Sequence, residues 1–543
     1  MMEKSHVPAY AASVVRASWL PMVIIALAQI QMGFNVSALP VSIGGIVEDF
    51  NTSPSSVSTA LVVYSLAVAG FVMLGAKLGK LFGTRNMFQV GVVLHGLAMA
   101  GMVISTSDTM MIQMQGIAGL AAAILVPSLV VMIATHYRGQ QQSQSLGLLG
   151  AAQAIAGVLA FLVIGIVGTL FSWRYGFALI VVIAVIVFIL SFRLKPVDRE
   201  SGVKIDWIGA VLAALAVTLI SLGFNNIKAW GLLLADPDAP YNVLGLSLSP
   251  IMIVAGVMLG QGFFAWSHKR AAQNKTPLLA LEVLDSPQER AATYCLFIIA
   301  ALGPAINFLI PLYIQIVQGY TSLETAVAVI PYSLAIFFGT AMVVRLFERV
   351  TPRRIGRYGF IIVAIGLVML AYTIRNDWGT PLVILSLIVI GLGEGSLLTL
   401  VFNVLVSASP KKLAGDVGAL RGTTNNLATG LGTAFASVLS VTLLSIIIVN
   451  SLISSPVLPT EVIGETVDLD NIDFVSNDDL DEILEETDLT PLQEAQAVEI
   501  NIEGRLQALK LSFLILACMA LLAVIPAGGL PDYMPGEVPA DKL

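Results

Sequence analysis

The apolar residues of this chain come in long runs separated by short polar joints. Runs of spanning length fall near residues 19–40, 56–78, 87–105, 109–135, 145–170, 174–192, 207–224, 249–268, 291–315, 325–345, 356–374, 381–405, 424–449 and 508–526. About 20 apolar residues carry a helix across a bilayer, so the pattern predicts an all-α polytopic membrane protein with fourteen transmembrane helices. The first run has no small-residue cleavage site and reads as a retained span rather than a removed signal peptide. An even number of spans puts both termini on one side.

Charge selects the side. With the N-terminus in the cytoplasm, the inner joints hold 23 of the 28 lysines and arginines and the outer joints hold five. That is the bias of a correctly counted topology, and it predicts a multi-pass protein of the plasma (inner) membrane with both termini cytoplasmic. All six tryptophans stand at or near span ends, as an interfacial aromatic belt requires.

Composition sharpens this in one respect. The chain is 57% hydrophobic and 12% charged, with mean hydropathy +0.88, against roughly 25% charged residues in a soluble domain. The net charge of −7 is a misleading average: Asn450 to Arg505 holds fifteen acids and one base, and without it 27 bases outnumber 20 acids. A basic-sided membrane body thus carries one acidic outer appendage. Its acids lack the Gly required at the sixth position of a twelve-residue calcium loop, where Asp473 stands when counting from Asp468. Thr490-Pro491 with Glu494 predicts a helix start that could run into the last span. The two cysteines, Cys295 and Cys518, offer neither a disulfide framework nor metal-ligand spacing. No phosphate-binding loop and no nucleophile–base set is evident, so neither an enzyme nor a nucleotide-driven pump is expected. Nothing points to nucleic acid; the expected partners are the bilayer and a small-molecule substrate, and the expected working unit is a monomer.

Two inner joints resemble each other, LGKLFGTRNMFQVG from Leu78 and LFERVTPRRIGRYGF from Leu346. They divide the chain into two six-helix bundles with two inserted helices. The predicted parts are an N-terminal bundle at 1–192, an inserted pair with linkers at 193–290, five helices of the second bundle at 291–449, the acidic segment at 450–507, and the last span with its tail at 508–543.

Glu394 stands in the middle of the 381–405 run, flanked by Gly391, Gly393 and Gly395. A carboxylate at that depth costs roughly 2.5–3.5 kcal/mol on insertion scales, so it is expected to face protein or a water-filled cavity. No other acid lies so deep in an apolar run. The missing glycine side chains would let a helix or ligand come close. Glu394 is therefore either a functional group or a buried acid bonded to a neighbouring helix.

Further stretches resemble the major facilitator superfamily, in its fourteen-helix drug:proton antiporter branch. They are SALPVSI at Ser37–Ile43, the turn with Leu78-Gly79, Phe82-Gly83, Arg85 and Phe88, Gln115-Gly116 with Pro127, SWRYGF at Ser172–Phe177, Asp206, IPLYIQIVQGY from Ile310, and AGDVGALRGTTNNLATGLGTAF from Ala414. The resemblance covers all but the acidic segment and implies two bundles that alternate access to a central cavity. It departs where that branch couples to ions. Gln31 stands in place of a helix 1 Asp, Lys80 in place of the Asp of the helix 2–3 turn, Ile112 in place of an Arg, and Ala160-Phe161 in place of a Gly-Pro.

Gln31 and Ile112 cannot titrate, which leaves Glu394 and His95 as proton-coupling candidates. The resemblance makes helix 12 cavity-lining and helix 3 a support, so His95 reads better as a packed histidine, although an imidazole can titrate near neutral pH. Gln31, Asn35, Gln115, Gln153, Asn307, Gln315 and Asn403 are the substrate-cavity candidates, with bland interhelical bonding the competing reading for several. Lys80, Gly83 and Arg85, and on the second loop Glu348, Arg349 and Arg353, are the gating-loop candidates. No cofactor is expected beyond a proton gradient.

The function this favours is a secondary active transporter exporting an amphiphilic or cationic small molecule by proton antiport at Glu394. Two alternatives stay open: an uncoupled facilitator or exporter of a lipid-like molecule, and a transporter-like sensor or assembly partner acting through the acidic segment. An anionic substrate would call for a buried Arg or Lys in the cavity.

Overall fold

Fourteen helices of spanning length follow the fourteen apolar runs. They are seen in a computed structural model that describes residues 17–52, 54–168, 170–197, 199–200, 204–236, 239–314, 318, 322–347, 349–376, 381–408, 413–455, 480 and 490–533. In order they are α1 Leu20–Val41, α2 Pro54–Phe82, α3 Thr84–Val103, α4 Asp108–His136, α5 Gly139–Val163, α6 Arg174–Ser191, α7 Trp207–Asn225, α8 Leu248–Ala272, α9 Pro287–Leu312, α10 Ser322–Leu346, α11 Pro352–Thr373, α12 Pro381–Ala408, α13 Ala414–Ser454 and α14 Pro491–Leu522. Helices satisfy their own backbone groups, which is what hydrocarbon demands. The β-structure among the described residues is a two-residue pairing, Asn242–Val243 with Leu246–Ser247, in the α7–α8 joint.

Local chemistry sets the helix starts. Ser286 and Glu289 close a capping box ahead of Pro287 at the start of α9, and Thr490 and Gln493 do the same ahead of Pro491 in α14. The Asp206 carboxylate caps α7 by accepting from the Gly209 N–H. It also accepts from Trp266 Nε1 at 3.0 Å and pairs with Arg270 at 3.4 Å, binding α7 to α8. α5 ends in a π-helical turn, Ile164–Gly168, just beyond the position where the expected Gly-Pro is missing.

α1–α6 and α9–α14 form the two bundles; α7 and α8 pack on each other, and α7 rests on α2 and α13. The bundles meet where α13 lies on α2 and α4, and where α5 lies on α10 and α12. Gly418 and Gly422 of α13 permit the first contact: a Cβ on Gly418 would stand 2.9 Å from Pro127 Cα, and one on Gly422 2.8 Å from Val72. Small residues of this kind let helix backbones approach in a bilayer, where apolar burial gives no preference for protein over lipid.

Two helices exceed their apolar runs. α13 has 41 residues, about 62 Å at 1.5 Å per residue, and begins ten residues before the expected start at 424. α14 has 32 residues and runs from Pro491 straight into the last span. Outside the main core, Leu444, Ile448 and Leu452 of α13 meet Ile500 and Ala508 of α14 in a separate apolar seam. The bulk of the acidic segment lies outside the described residues.

Candidate functional site

Glu394 is buried, at 6% exposure. Its three glycines are packing positions. A Cβ on Gly391 or Gly395 would run into the α10 backbone at Tyr332 or Ile336, and one on Gly393 into Val363 of α11. The acid itself points to α9 and α10. The Tyr332 hydroxyl donates to Glu394 Oε2, and Oε1 occupies the space that any side chain on Gly303 would fill. Asn307 of α9 lies near the Tyr332 hydroxyl, and its own amide donates to the Gly303 carbonyl at 2.9 Å. Tyr332 is 1% exposed, whereas Asn307 is exposed. The arrangement is a buried carboxylate bonded to one phenol, with an exposed amide beside it.

The first bundle uses its polar residues differently. Gln31 is fully buried and bonds His95 Nδ1 at 3.1 Å, with Nε2 also 3.4 Å from the Val92 carbonyl. His95 is itself 0% exposed. Gln31 and His95 thus fasten α1 to α3 and open onto no cavity. Asn35 and Gln115 exchange two amide bonds of 3.0 Å each, joining α1 to α4. Gln153 is exposed and accepts from Gln29 of α1. Asn403, 2% exposed, accepts from Ser407 at 3.1 Å. Of the cavity candidates, Gln153 and Asn307 are the exposed ones; Gln31, Asn35, Gln115 and Asn403 are buried among helices, and Gln315 lies outside the described residues. Four-residue spacing placed Gln31 and Asn35 on one face, but each found an interhelical partner on a different neighbour.

Lys80 reaches across to the other bundle. Its Nζ pairs with Asp416 Oδ2 at 2.8 Å, Lys77 pairs with Oδ1 at 2.9 Å, and the Ala280 N–H donates to Oδ1 at 3.1 Å. One carboxylate, 1% exposed, therefore ties α2, the start of α13 and the linker before α9. Asp416 had looked like a joint residue by hydropathy, and Glu394 the one deep acid. Burial here comes instead from two lysines more than 300 residues away and an earlier helix start. The charge reversal at Lys80 is matched by an acid on the facing bundle.

Of the remaining loop candidates, Arg85 and Arg353 bond within their own bundles. Gly83 turns the chain at φ +90°. Arg85 donates to the Phe192 carbonyl at 2.9 Å. Arg353 binds Asp532 at 2.9 Å and the Leu530 carbonyl at 3.1 Å, holding α11 to the segment after α14. Arg349 is exposed, and Glu348 lies outside the described residues. The two loops that look alike are not equivalent across the seam.

Arg421, which the hydropathy pattern left in an inner joint, sits two turns inside α13 with its guanidinium 4.1 Å from the centre of the Phe402 ring of α12. Among the described residues no group of three or more His, Cys, Asp or Glu side chains is arranged to hold a metal ion.

The profile of the Major Facilitator Superfamily matches residues 25–433. The puromycin resistance protein of Streptomyces alboniger is 25% identical over 434 residues, covering 78% of this chain and 82% of its own length. The cephamycin export protein of Amycolatopsis lactamdurans is 25% identical over 61% of this chain and 66% of its own. Among solved structures, the human organic anion transporter MFSD10 aligns with TM-score 0.56 and 12% identity, over 94% of this chain and 98% of that one. That likeness is one of fold.

Proposed function

We propose a mechanism from one premise: this chain belongs to the Major Facilitator Superfamily, and it is a secondary active transporter of a small amphiphilic molecule rather than an enzyme. The names of its relatives, one for resistance and one for export, favour efflux from the cell. The charge bias supports a cytoplasmic position for the Lys77–Asp416 end, and a plasma-membrane monomer is the proposed working unit. The substrate is an amphiphilic or cationic small molecule exchanged for protons at Glu394.

The observation that carries this is Glu394, buried and bonded to the Tyr332 hydroxyl beside the exposed Asn307. Coupling needs a group whose protonation differs between the two access states. Glu394 is titratable, lies in mid-bundle, and is bonded to a hydroxyl beside an exposed residue. His95 has no comparable route. Neutral Glu394 fits the apolar packing of α9, α10 and α12; rearrangement of those helices would open the carboxyl to water on one side and let the proton leave. Asp416 with Lys77 and Lys80 would serve as the inner gate, broken and remade once per cycle.

The test is transport in proteoliposomes with an imposed pH gradient. Glu394→Gln should abolish gradient-driven efflux of a substrate dye while leaving dye binding intact. Undiminished gradient-driven efflux in that variant would sink the mechanism. Flux indifferent to the gradient in the wild type would identify an uncoupled facilitator instead.

A further inference from the structure

The helix that closes the seam carries a cation that no described acid pairs with. Arg421 lies seven residues after Ala414, about 10 Å along α13. It stands beside Gly418 and Gly422, which press against α4 and α2. Its neighbours Val417, Ala419, Leu420 and Thr424 are buried, and Arg421 is partly exposed. Among the described residues its guanidinium has no ion pair and no hydrogen bond; its contact is the face of Phe402, 3% exposed.

Among the described residues the buried acids are otherwise engaged. Asp416 holds Lys77 and Lys80, Glu394 is bound by Tyr332, Asp206 holds Arg270 and Trp266, and Glu289 closes the α9 cap. One turn before Phe402, the Thr399 hydroxyl is also buried without a hydrogen-bond partner. A guanidinium held over an aromatic face makes no hydrogen bond to it, which leaves its N–H groups, in the guanidinium's own plane, for a separate acceptor. Carboxylate and phosphate match that fork with two parallel bonds.

We propose that Arg421, backed by Phe402, binds the oxyanion head of the transported molecule, so that the substrate class is an amphiphile with an acidic headgroup. This rests on the transporter reading and narrows its substrate away from cations. Glu394 lies eight residues before Phe402, about 12 Å along α12, and is capped by Tyr332. It is left as the proton's group, while Arg421 serves the substrate.

The experiment measures equilibrium binding to the purified full-length protein in non-ionic detergent, without any gradient. The probes are a dansyl-labelled long-chain carboxylate, its alkyl phosphate counterpart, its methyl ester, and a trimethylammonium analogue on the same tail. The wild type should bind the carboxylate or the phosphate roughly tenfold or more tightly than the ester, as a charge-assisted bidentate contact implies; the stronger of the two identifies the headgroup. Arg421→Gln should reduce that probe to the affinity of the ester and leave ester binding unchanged, and Arg421→Lys should keep part of the preference. Equal affinities across headgroups in the wild type, tightest binding of the ammonium probe, or a preference surviving in Arg421→Gln would each overturn the proposal. If Arg421→Gln does not fold, the wild-type ranking and Arg421→Lys still decide it. Because no gradient is applied, loss of coupling at Glu394 leaves this outcome untouched.

Discussion

At the residue scale, the chemistry rests on side chains whose partners are distant in sequence. If the Tyr332 hydroxyl is the route between Glu394 and Asn307, Tyr332→Phe should leave a folded protein with gradient-driven transport slowed about tenfold or more, as for loss of a positioned proton-transfer group. Combined with Glu394→Gln it should add nothing, since both changes cut one path. Gly303→Ala would push a methyl group into the carboxylate. It should cost about 1–3 kcal/mol of stability, as overpacking does, read as a lower thermal midpoint. Glu394 was legible in the sequence because a carboxylate in mid-run has to be accounted for. Tyr332 and Gly303 were not, because a tyrosine or a glycine in an apolar run is unremarkable until a helix 62 residues away supplies its partner. The amides were visible but ambiguous: nothing in Asn35 or Gln115 announces that each will satisfy the other.

At the element scale, the seam is held by one acid at the start of α13 and two bases at the end of α2. Removing one member of a buried ion pair leaves the other uncompensated, at about 3–5 kcal/mol. Asp416→Asn should therefore shift the protein towards the form open at this end. Cysteines placed at Ala76 and Gly415, adjacent across the seam, should then crosslink less and react faster with aqueous maleimide. Exchanging the charges, Lys80→Asp with Asp416→Lys, should restore part of the closure. Unchanged crosslinking in Asp416→Asn would mean the contact is ornamental. Lys80 reads in the sequence as a reversal of the usual charge, and its partner could not be seen there. The pairing spans 336 residues, and the helix that carries Asp416 starts earlier than hydropathy alone implied.

At the scale of the whole molecule, fourteen runs gave fourteen helices because hydrocarbon leaves a spanning chain no other open conformation. What hydropathy could not report was helix that continues beyond the apolar run, so α13 was drawn too short, whereas Thr490-Pro491 with Glu494 did mark the early start of α14. The transporter reading predicts that deleting residues 456–488 leaves gradient-driven efflux intact in vesicles. Loss of efflux with retained substrate binding would instead favour a sensor or assembly role for that segment.

α13 is also a lever. At about 62 Å it is twice as long as the roughly 30 Å hydrocarbon core, and it is pinned at one end by Asp416 and lashed along its far part to α14. A tilt of about 10° about the pinned end would sweep the far tip, with α14 lashed to it, by ~11 Å at that length. Events at the inner gate would thus be magnified into a displacement on the opposite face. By reciprocity, anything that grips the tip resists the gate. A binder raised against the outer end of α13 and α14 should accordingly brake transport without touching the substrate path, and spin labels near Ser451 should register each opening as a change in distance from α8.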